Sequence, residues 1–328
     1  MQKLKIGVLG CANIAKRSVI PAILSIPDFE LVAVASRTVE KAKEFADLFG
    51  CEAVAGYQNL IDRKDIDVIY MPLPTGLHEE WVLKTLDAGK HILIEKSLAM
   101  NYNSAQLMVE KATKKGLLIM ENFMFIYHGQ HHLVKKIIND GKIGEIRCFR
   151  SSFGFPPLPS DNFRYSKELG GGALLDAAAY TVKASQLFLG MDLKVKASTL
   201  KYNNKGVDIF GGAFLENNNG LFSEVAFGFD NFYQCNYEIW GSKGKIIAHR
   251  AFTPAPDFKP LITLEQQGTI EEIEAPAENH FIAILNEFIR CIHENDLQLK
   301  YTEILNQSRL LEEIARLEVE RQKFTNNK

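Results

Sequence analysis

The chain has 328 residues, a formal net charge of −2 and 46% hydrophobic residues, a length that favours two domains with a real core and a charge that argues against nucleic acid as the main partner. No apolar run approaches the roughly 18 residues of a membrane span, and the N-terminus enters a strand at once, so neither a membrane helix nor a secretory leader is expected. Cys11, Cys51, Cys148, Cys235 and Cys291 are scattered and lack CxxC spacing, which fits a reduced, cytoplasmic setting and neither a disulfide framework nor a zinc site.

From 1 to about 121 apolar strands and charged helices alternate. Strands are expected near 3–9, 30–35, 67–71, 91–95 and 117–121, with helices at 14–25, 39–49, 78–88 and 102–115. Alternation with short connections means a mostly parallel sheet covered on both faces. Phe123, Phe125 and Tyr127 then lead into a helix ending near Asp140-Gly141. Strand-like runs follow at Ile146 to Phe153, Leu193 to Tyr202, Ile209 to Glu216, Leu221 to Phe229, Tyr233 to Trp240 and Lys245 to His249. The stretch Gly170 to Leu189 between them is helical from about Ala173. Strands in succession suggest an antiparallel sheet with helices on one face. Two helices, Glu278 to Glu294 and Tyr301 to Arg321, close the chain. The fold class is thus an α/β Rossmann domain (1–121) followed by an α+β domain with a large, mostly antiparallel open sheet (122–328).

The chemistry begins at Gly10-Cys11-Ala12-Asn13-Ile14-Ala15, directly after the run Ile6 to Leu9. A strand, a tight turn and a helix start aim helix N–H groups at whatever lies over the turn, and a pyrophosphate suits them. Gly10 permits the turn, Ala12 is small enough for backbone to approach phosphate, and Ala15 lets helix and strand pack closely. At the tip of the second strand stand Ser36-Arg37-Thr38 and no acid. An acid there would bond the ribose 2′-OH of NAD, whereas arginine suits the 2′-phosphate of NADP. NADP(H) is therefore expected over NAD(H). Pro72 to His78 follows another strand, where Thr75 and His78 can meet cofactor and Thr75 can also cap the next helix. Glu95-Lys96 ends a further strand at the same edge. Asp176 and Tyr180, after Gly170-Gly171-Gly172, are four apart on a helix and share one face.

In this order, the turn at Gly10 to Ala15, Pro72 to His78, Glu95-Lys96, Gly170 to Tyr180, Ile239 to Gly244 and Glu278 to Phe281 resemble the glucose-fructose oxidoreductase/inositol dehydrogenase (Gfo/Idh/MocA) family over essentially the whole chain. Asn162-Phe163-Arg164-Tyr165 before the glycines, and Ala12 in place of a second glycine, look most like its nucleotide-sugar 3-ketoreductases. Ser97 stands where the family usually has proline after the lysine.

The resemblance implies that Lys96 and Tyr180 meet across the domain cleft beside the nicotinamide. Tyr180 would protonate a carbonyl oxygen, Lys96 would hold it, and Asp176 would bond a sugar hydroxyl or Lys96. Tyrosine, where many family dehydrogenases carry histidine, favours reduction. The expected cofactor contacts are Gly10, Ala12, Asn13, Ile14, Ala15, Ser36, Arg37, Thr38, Leu73, Pro74, Thr75, His78, Glu95, Lys96, Asn122 and Arg164, the arginine reaching cofactor or substrate phosphates. Lys96, His128, Asp176 and Tyr180 are the expected substrate contacts, with His131 and His132 on the surface. His128 and His132 have helical metal-ligand spacing, but Gly129 interrupts the helix, no acid lies near and the family is metal-free, so no metal is expected. Reduction of a keto group on a nucleotide-activated deoxysugar is the first reading. Oxidation of a free sugar, polyol or cyclic diol is the second, and a non-catalytic dinucleotide-binding sensor the third. The partner is a small molecule, with no membrane or nucleic acid, in a homodimer or homotetramer.

Overall fold

The structure is a computed structural model that describes residues 3–326. Residues 1, 2, 327 and 328, counted in the two expected domains, lie outside the described residues. The chain divides into two compact units, Met1–Phe123 with Phe281–Leu305, and Met124–His280 with Asn306–Lys328. The sequence reading carried a second domain unbroken from 122. The structure instead returns Phe281–Leu305 to the first unit.

The first unit holds a six-stranded parallel sheet: β1 (Leu4–Leu9), β2 (Phe29–Ser36), β3 (Glu52–Ala55), β4 (Val68–Met71), β5 (His91–Ile94) and β6 (Ile119–Glu121). Its strand order is β3-β2-β1-β4-β5-β6, so the order reverses between β1 and β4, where open α/β sheets receive ligands. Ile6, Val8 and Leu9 are fully buried, which explains an apolar run without alternation in a strand covered on both faces.

The helices of this unit are α1 (Ile20–Ser25), preceded by a π-type turn over Ala15–Val19, α2 (Val39–Phe49), α3 (Tyr57–Ile61), α4 (His78–Asp87) and α5 (Tyr102–Lys115). Local chemistry sets their ends. Asn101 accepts the Ser104 N–H at 2.9 Å to start α5, and Gly116 stops it at φ 64°, a left-handed conformation that glycine takes without a Cβ penalty. β3 and α3 have no counterpart in the sequence reading. Each spans barely one turn or pair of residues per face, too short for a period to show. The later segment is anchored here by Tyr301, whose hydroxyl donates to Leu117 O at 2.5 Å, and by the apolar Ile284, Leu285 and Phe288, which are buried.

The second unit opens with α6 (Gly129–Asn139). Gly129 does not interrupt this helix but begins it, because His128 Nδ1 accepts the Gln130 N–H at 3.1 Å as a cap. The strands are β7 (Ile146–Gly154), β8 (Lys194–Tyr202), β9 (Asp208–Glu216), β10 (Phe222–Gly228), β11 (Gln234–Gly241), β12 (Gly244–Ala248), β13 (Leu261–Gln266) and β14 (Thr269–Glu274), and the helix α7 (Ala179–Leu189) follows a π-type turn over Leu174–Ala178. The sheet order is β14-β13-β12-β11-β7-β10-β9-β8. Every pair is antiparallel except β7 with β10. α7 packs on β7 and β10. The strands β13 and β14 were not foreseen. β14 is an exposed edge carrying Glu271, Glu272 and Glu274, a composition that protects an edge but hides the strand pattern. α8 (His280–His293) and α9 (Gln298–Asn326) end the described chain.

His131 corrects an expectation: it is fully buried rather than on the surface, while His132 is exposed. Its Nε2 lies 3.1 Å from Ala251 O, and its Nδ1 2.9 Å from the Tyr237 hydroxyl. A carbonyl only accepts, so Nε2–H donates to Ala251 O and the Tyr237 hydroxyl donates to Nδ1. Burial, with His128, Lys135 and His280 adding to it, pushes the His131 pKa from 6.5 down to about 3. The unfolded chain therefore binds the proton first as pH falls. The stability due to a neutral His131 is complete above pH 6.5 and drains away toward pH 3, on the order of 5 kcal/mol over that window. A urea-unfolding series over the window should show a shallower fall in midpoint for His131→Gln than for wild type, and equal slopes would contradict the assignment.

Candidate active site

Each unit contributes one constellation. In the first, Gly10 turns the chain at φ 127° after β1, and its N–H donates to Ala35 O at 3.0 Å. That positive φ is one L side chains rarely adopt, and a Cβ would also press on Leu73 Cδ2 at 2.9 Å, so glycine is favoured there. The turn after β1 and the turn after β4 thus meet at the point where the strand order reverses. The helix begins with the Lys16 N–H on Ala12 O at 3.1 Å, and the N–H groups of such a first turn have no intrahelical acceptor. Asn13 is exposed, Ala12 and Ile14 half-buried and Ala15 buried, as a phosphate cradle backed by close packing requires. Burial pushes the Cys11 thiol up to about 11, so no thiolate competes with a bound phosphate.

At the tip of β2, Arg37 and Thr38 are exposed and Ser36 is buried. Thr38 Oγ1 accepts the Lys41 N–H at 3.5 Å to cap α2. Thr75 does not cap α4: that helix starts from Leu77 without a side-chain cap. Glu79 and Glu80 occupy its first turn instead, where negative charge is favoured.

The segment around Lys96 is pinned from behind. Glu95 Oε1 accepts from the Tyr70 hydroxyl at 2.7 Å and from Asn122 Nδ2 at 2.6 Å. Glu121 Oε1 accepts the Leu98 N–H at 2.7 Å. The Lys96–Ser97 peptide is cis. His78, expected to touch cofactor, is fully enclosed. Its Nε2 lies 2.8 Å from Leu73 O, and its Nδ1 3.1 Å from both Ser97 O and Leu98 O. Burial outweighs these carbonyls and lowers its pKa. In the neutral ring the shorter contact takes the proton, so Nε2–H donates to Leu73 O. His78 therefore donates its one N–H to the Leu73 turn, and its other edge packs beside the Ser97 and Leu98 carbonyls. Tyr70 and Glu121 were missed because an aromatic or an acid inside an apolar strand carries no mark of its hydrogen-bond partner.

A dinucleotide fits these residues. The bare Gly10 turn and the helix start would hold its pyrophosphate. Asn122 Oδ1 is buried with no partner among the described residues, an acceptor that a bound amide would satisfy.

In the second unit, Tyr180 is 7% exposed. Its ring lies 5.0 Å from Phe153, 5.7 Å from Phe125 and 5.8 Å from Phe252, distances of favourable aromatic pairs. Asp176, in the π-type turn before α7, accepts from Arg164 Nε at 2.5 Å, and the guanidinium also lies 4.7 Å over the Phe163 ring. Arg164, expected on phosphate, thus directs its Nε to the acid expected on sugar. Gly172 N donates to Arg164 O at 3.0 Å and Gly171 N to Ser166 O at 2.8 Å, folding the glycine segment back on the arginine. Asp208, unforeseen, accepts the Leu174 N–H at 2.6 Å, and burial pushes it up to about 6. His128, expected to face sugar, is fully buried, capping α6 with Nδ1 and lying 5.9 Å from the His280 ring. Its Nε2 has no partner among the described residues. Among those residues no group of three or more His, Cys, Asp or Glu could hold a metal ion.

Comparison with known proteins agrees with this geometry. Residues 4–123 match the model of the Gfo/Idh/MocA oxidoreductase family, NAD-binding Rossmann fold. Residues 131–247 match its C-terminal domain. The chain is 44% identical over 289 residues, 88% of its length and 87% of the relative's, to a dTDP-3,4-didehydro-2,6-dideoxy-alpha-D-glucose 3-reductase of Saccharopolyspora spinosa. It is 31% identical, over 80% of its length and 81% of the relative's, to a D-xylose 1-dehydrogenase (NADP(+)) of Haloferax volcanii. The crystal structure of a 3-ketoreductase from Actinomadura kijaniata in complex with NADP and TDP-benzene superposes with a TM-score of 0.93 at 38% identity, covering 96% of this chain and 98% of that one. No described helix is long and apolar enough to cross a membrane. A bare glycine turn at the sheet's switch point, a pinned lysine segment and two matching domains make the chain a member of the Gfo/Idh/MocA oxidoreductase family.

Proposed function

We propose that the protein is an NADPH-dependent reductase that converts a keto group on a nucleotide-activated deoxysugar to the alcohol. The observation that carries this reading is Tyr180, a phenol clamped by Phe125, Phe153 and Phe252 one helical turn beyond Asp176. The relatives named as 3-reductases of dTDP-sugars support the substrate class.

When bound, NADPH supplies the hydride. The Gly10 turn and the N–H groups from Ala12 to Ala15 bind the pyrophosphate, with Leu73, Pro74 and Thr75 on the facing turn. Arg37, with Ser36 and Thr38, takes the 2′-phosphate through charge-assisted bonds. Asn122, whose Nδ2 is on Glu95, would offer its unpartnered Oδ1 to a cofactor amide. Tyr180 would give its proton to the carbonyl oxygen as the C=O π pair moves onto it. Lys96 stabilises the charge that develops there, and water later returns the proton to Tyr180. Asp176, aligned by Arg164, accepts from a sugar hydroxyl. Glu95 acts behind the surface by holding the Lys96 segment through Tyr70 and Asn122, while His78 secures the Leu73 turn.

The chain also assembles with itself in this reading. Phe210, Phe214 and Trp240 are 43, 36 and 50% exposed on the sheet face where Arg150 bridges Glu224 and Glu238, an apolar and ion-paired surface suited to a second copy.

Tyr180→Phe should lower kcat by about 100- to 10,000-fold with KM for the keto-sugar nucleotide little changed, followed by loss of NADPH absorbance. Lys96→Ala should behave alike. Equal turnover in both variants, or turnover only with NADP+ and free sugars or polyols, would reject the reductase reading. Arg37→Ala should weaken NADPH binding by roughly 10-fold or more and leave NADH binding nearly unchanged in fluorescence titration. Sedimentation should show Phe214→Lys as a smaller species than wild type, and identical sizes would count against that face.

A further inference from the structure

The helix that carries Asp176 and Tyr180 starts without a cap of its own: Ala173, the residue at its start, makes no side-chain capping bond. The missing acceptor comes from 34 residues downstream, where Asp208 Oδ2 receives the Leu174 N–H at 2.6 Å. The Ala173 N–H also favours the charged form of that carboxyl, against burial. Asp208 is the first residue of β9 and pairs with Tyr202 of β8, so it stands on sheet, not on a loop. Gly172 passes so close that a Cβ there would fall on the Asp208 carboxylate, and it does so at φ 126°. No other residue type satisfies both demands.

We propose that Asp208 is a positioning residue for the reduction: its carboxylate fixes the first turn of the Tyr180 helix to the sheet and thereby sets where Tyr180 and Asp176 stand. This rests on the role given to Tyr180 above. An anion at a helix start satisfies N–H groups that would otherwise lack acceptors and complements the helix dipole. Arg164 brackets the same segment, accepting the Gly172 N–H with its carbonyl before Leu174 and reaching Asp176 with its guanidinium after it. With both ends tied, the turn between Gly172 and Asp176 cannot slide along α7. Small displacements are costly in such a site, because a shift near 1 Å of a reacting group lowers rate by up to about 100-fold.

The test compares Asp208→Ala, Asp208→Asn and Gly172→Ala with wild type. Asp208→Ala should lose kcat by roughly 10- to 100-fold while NADPH affinity, read by fluorescence titration, stays unchanged. Asp208→Asn should recover most of kcat, since its amide oxygen still accepts the Leu174 N–H. Hydrogen exchange at Leu174 should quicken in Asp208→Ala and remain slow in Asp208→Asn. Should Asp208→Ala fail to fold, Gly172→Ala, which crowds the carboxylate from the helix side, should show the same loss of kcat. Wild-type kcat in either variant, or an Asn variant as impaired as Ala, would overturn the proposal. If wild type reduces no keto-sugar nucleotide, the functional reading falls by itself. The exchange at Leu174 then decides on Asp208 alone, and unchanged protection in Asp208→Ala would refute it.

Discussion

A glycine held at positive φ beside the next turn governs the first unit. Gly10 lies so near Leu73 that the turns after β1 and β4 act as one surface. From Leu73 the constraint runs inward: its carbonyl accepts from His78, whose other nitrogen faces the carbonyls of Ser97 and Leu98. Glu121 takes the Leu98 N–H from the far side. The phosphate-facing turn and the segment bearing Lys96 thus meet around the buried His78 ring, and loss of its Leu73 bond or of the Glu121–Leu98 bond would leave an orphaned group. That cost, larger than the gain from any one bond, is what keeps an irregular segment in one conformation.

The second unit solves the same problem with different means. Tyr180 is held between the rings of Phe125, Phe153 and Phe252. Such contacts restrict the ring through favourable edge and face geometry. Asp176, by contrast, is fixed by charge through Arg164. A part-exposed pair of this kind adds little stability, so its value lies in direction, since a planar guanidinium fixes the carboxylate it meets.

Much of this was legible in the residues. The run Ile6 to Leu9 and Gly10 announced a strand and turn, because burial on both faces and a positive φ each select composition. The helix expected from about Ala173 is likewise present, though Asp176 stands in a π-type turn and Tyr180 in the α-helix that follows. What stayed hidden was pairing at a distance. Nothing near Asp208 marks it as the partner of Leu174, and nothing near His131 shows that Tyr237 and Ala251 enclose it. His78 and His128 were placed at ligands because exposed histidines do that work, whereas both are enclosed. Burial is a property of the fold, and a lone polar residue in the chain does not declare it.

The return of Phe281–Leu305 to the first unit has a practical meaning for anyone who would cut or graft this protein. A fragment ending at the last parallel strand would leave the carbonyl of Leu117 without Tyr301 and lose the cover given by Ile284, Leu285 and Phe288. The nucleotide-holding half is therefore not a portable N-terminal cassette. On the ribosome that half stays unfinished until Leu305 has been added, long after its last parallel strand has emerged.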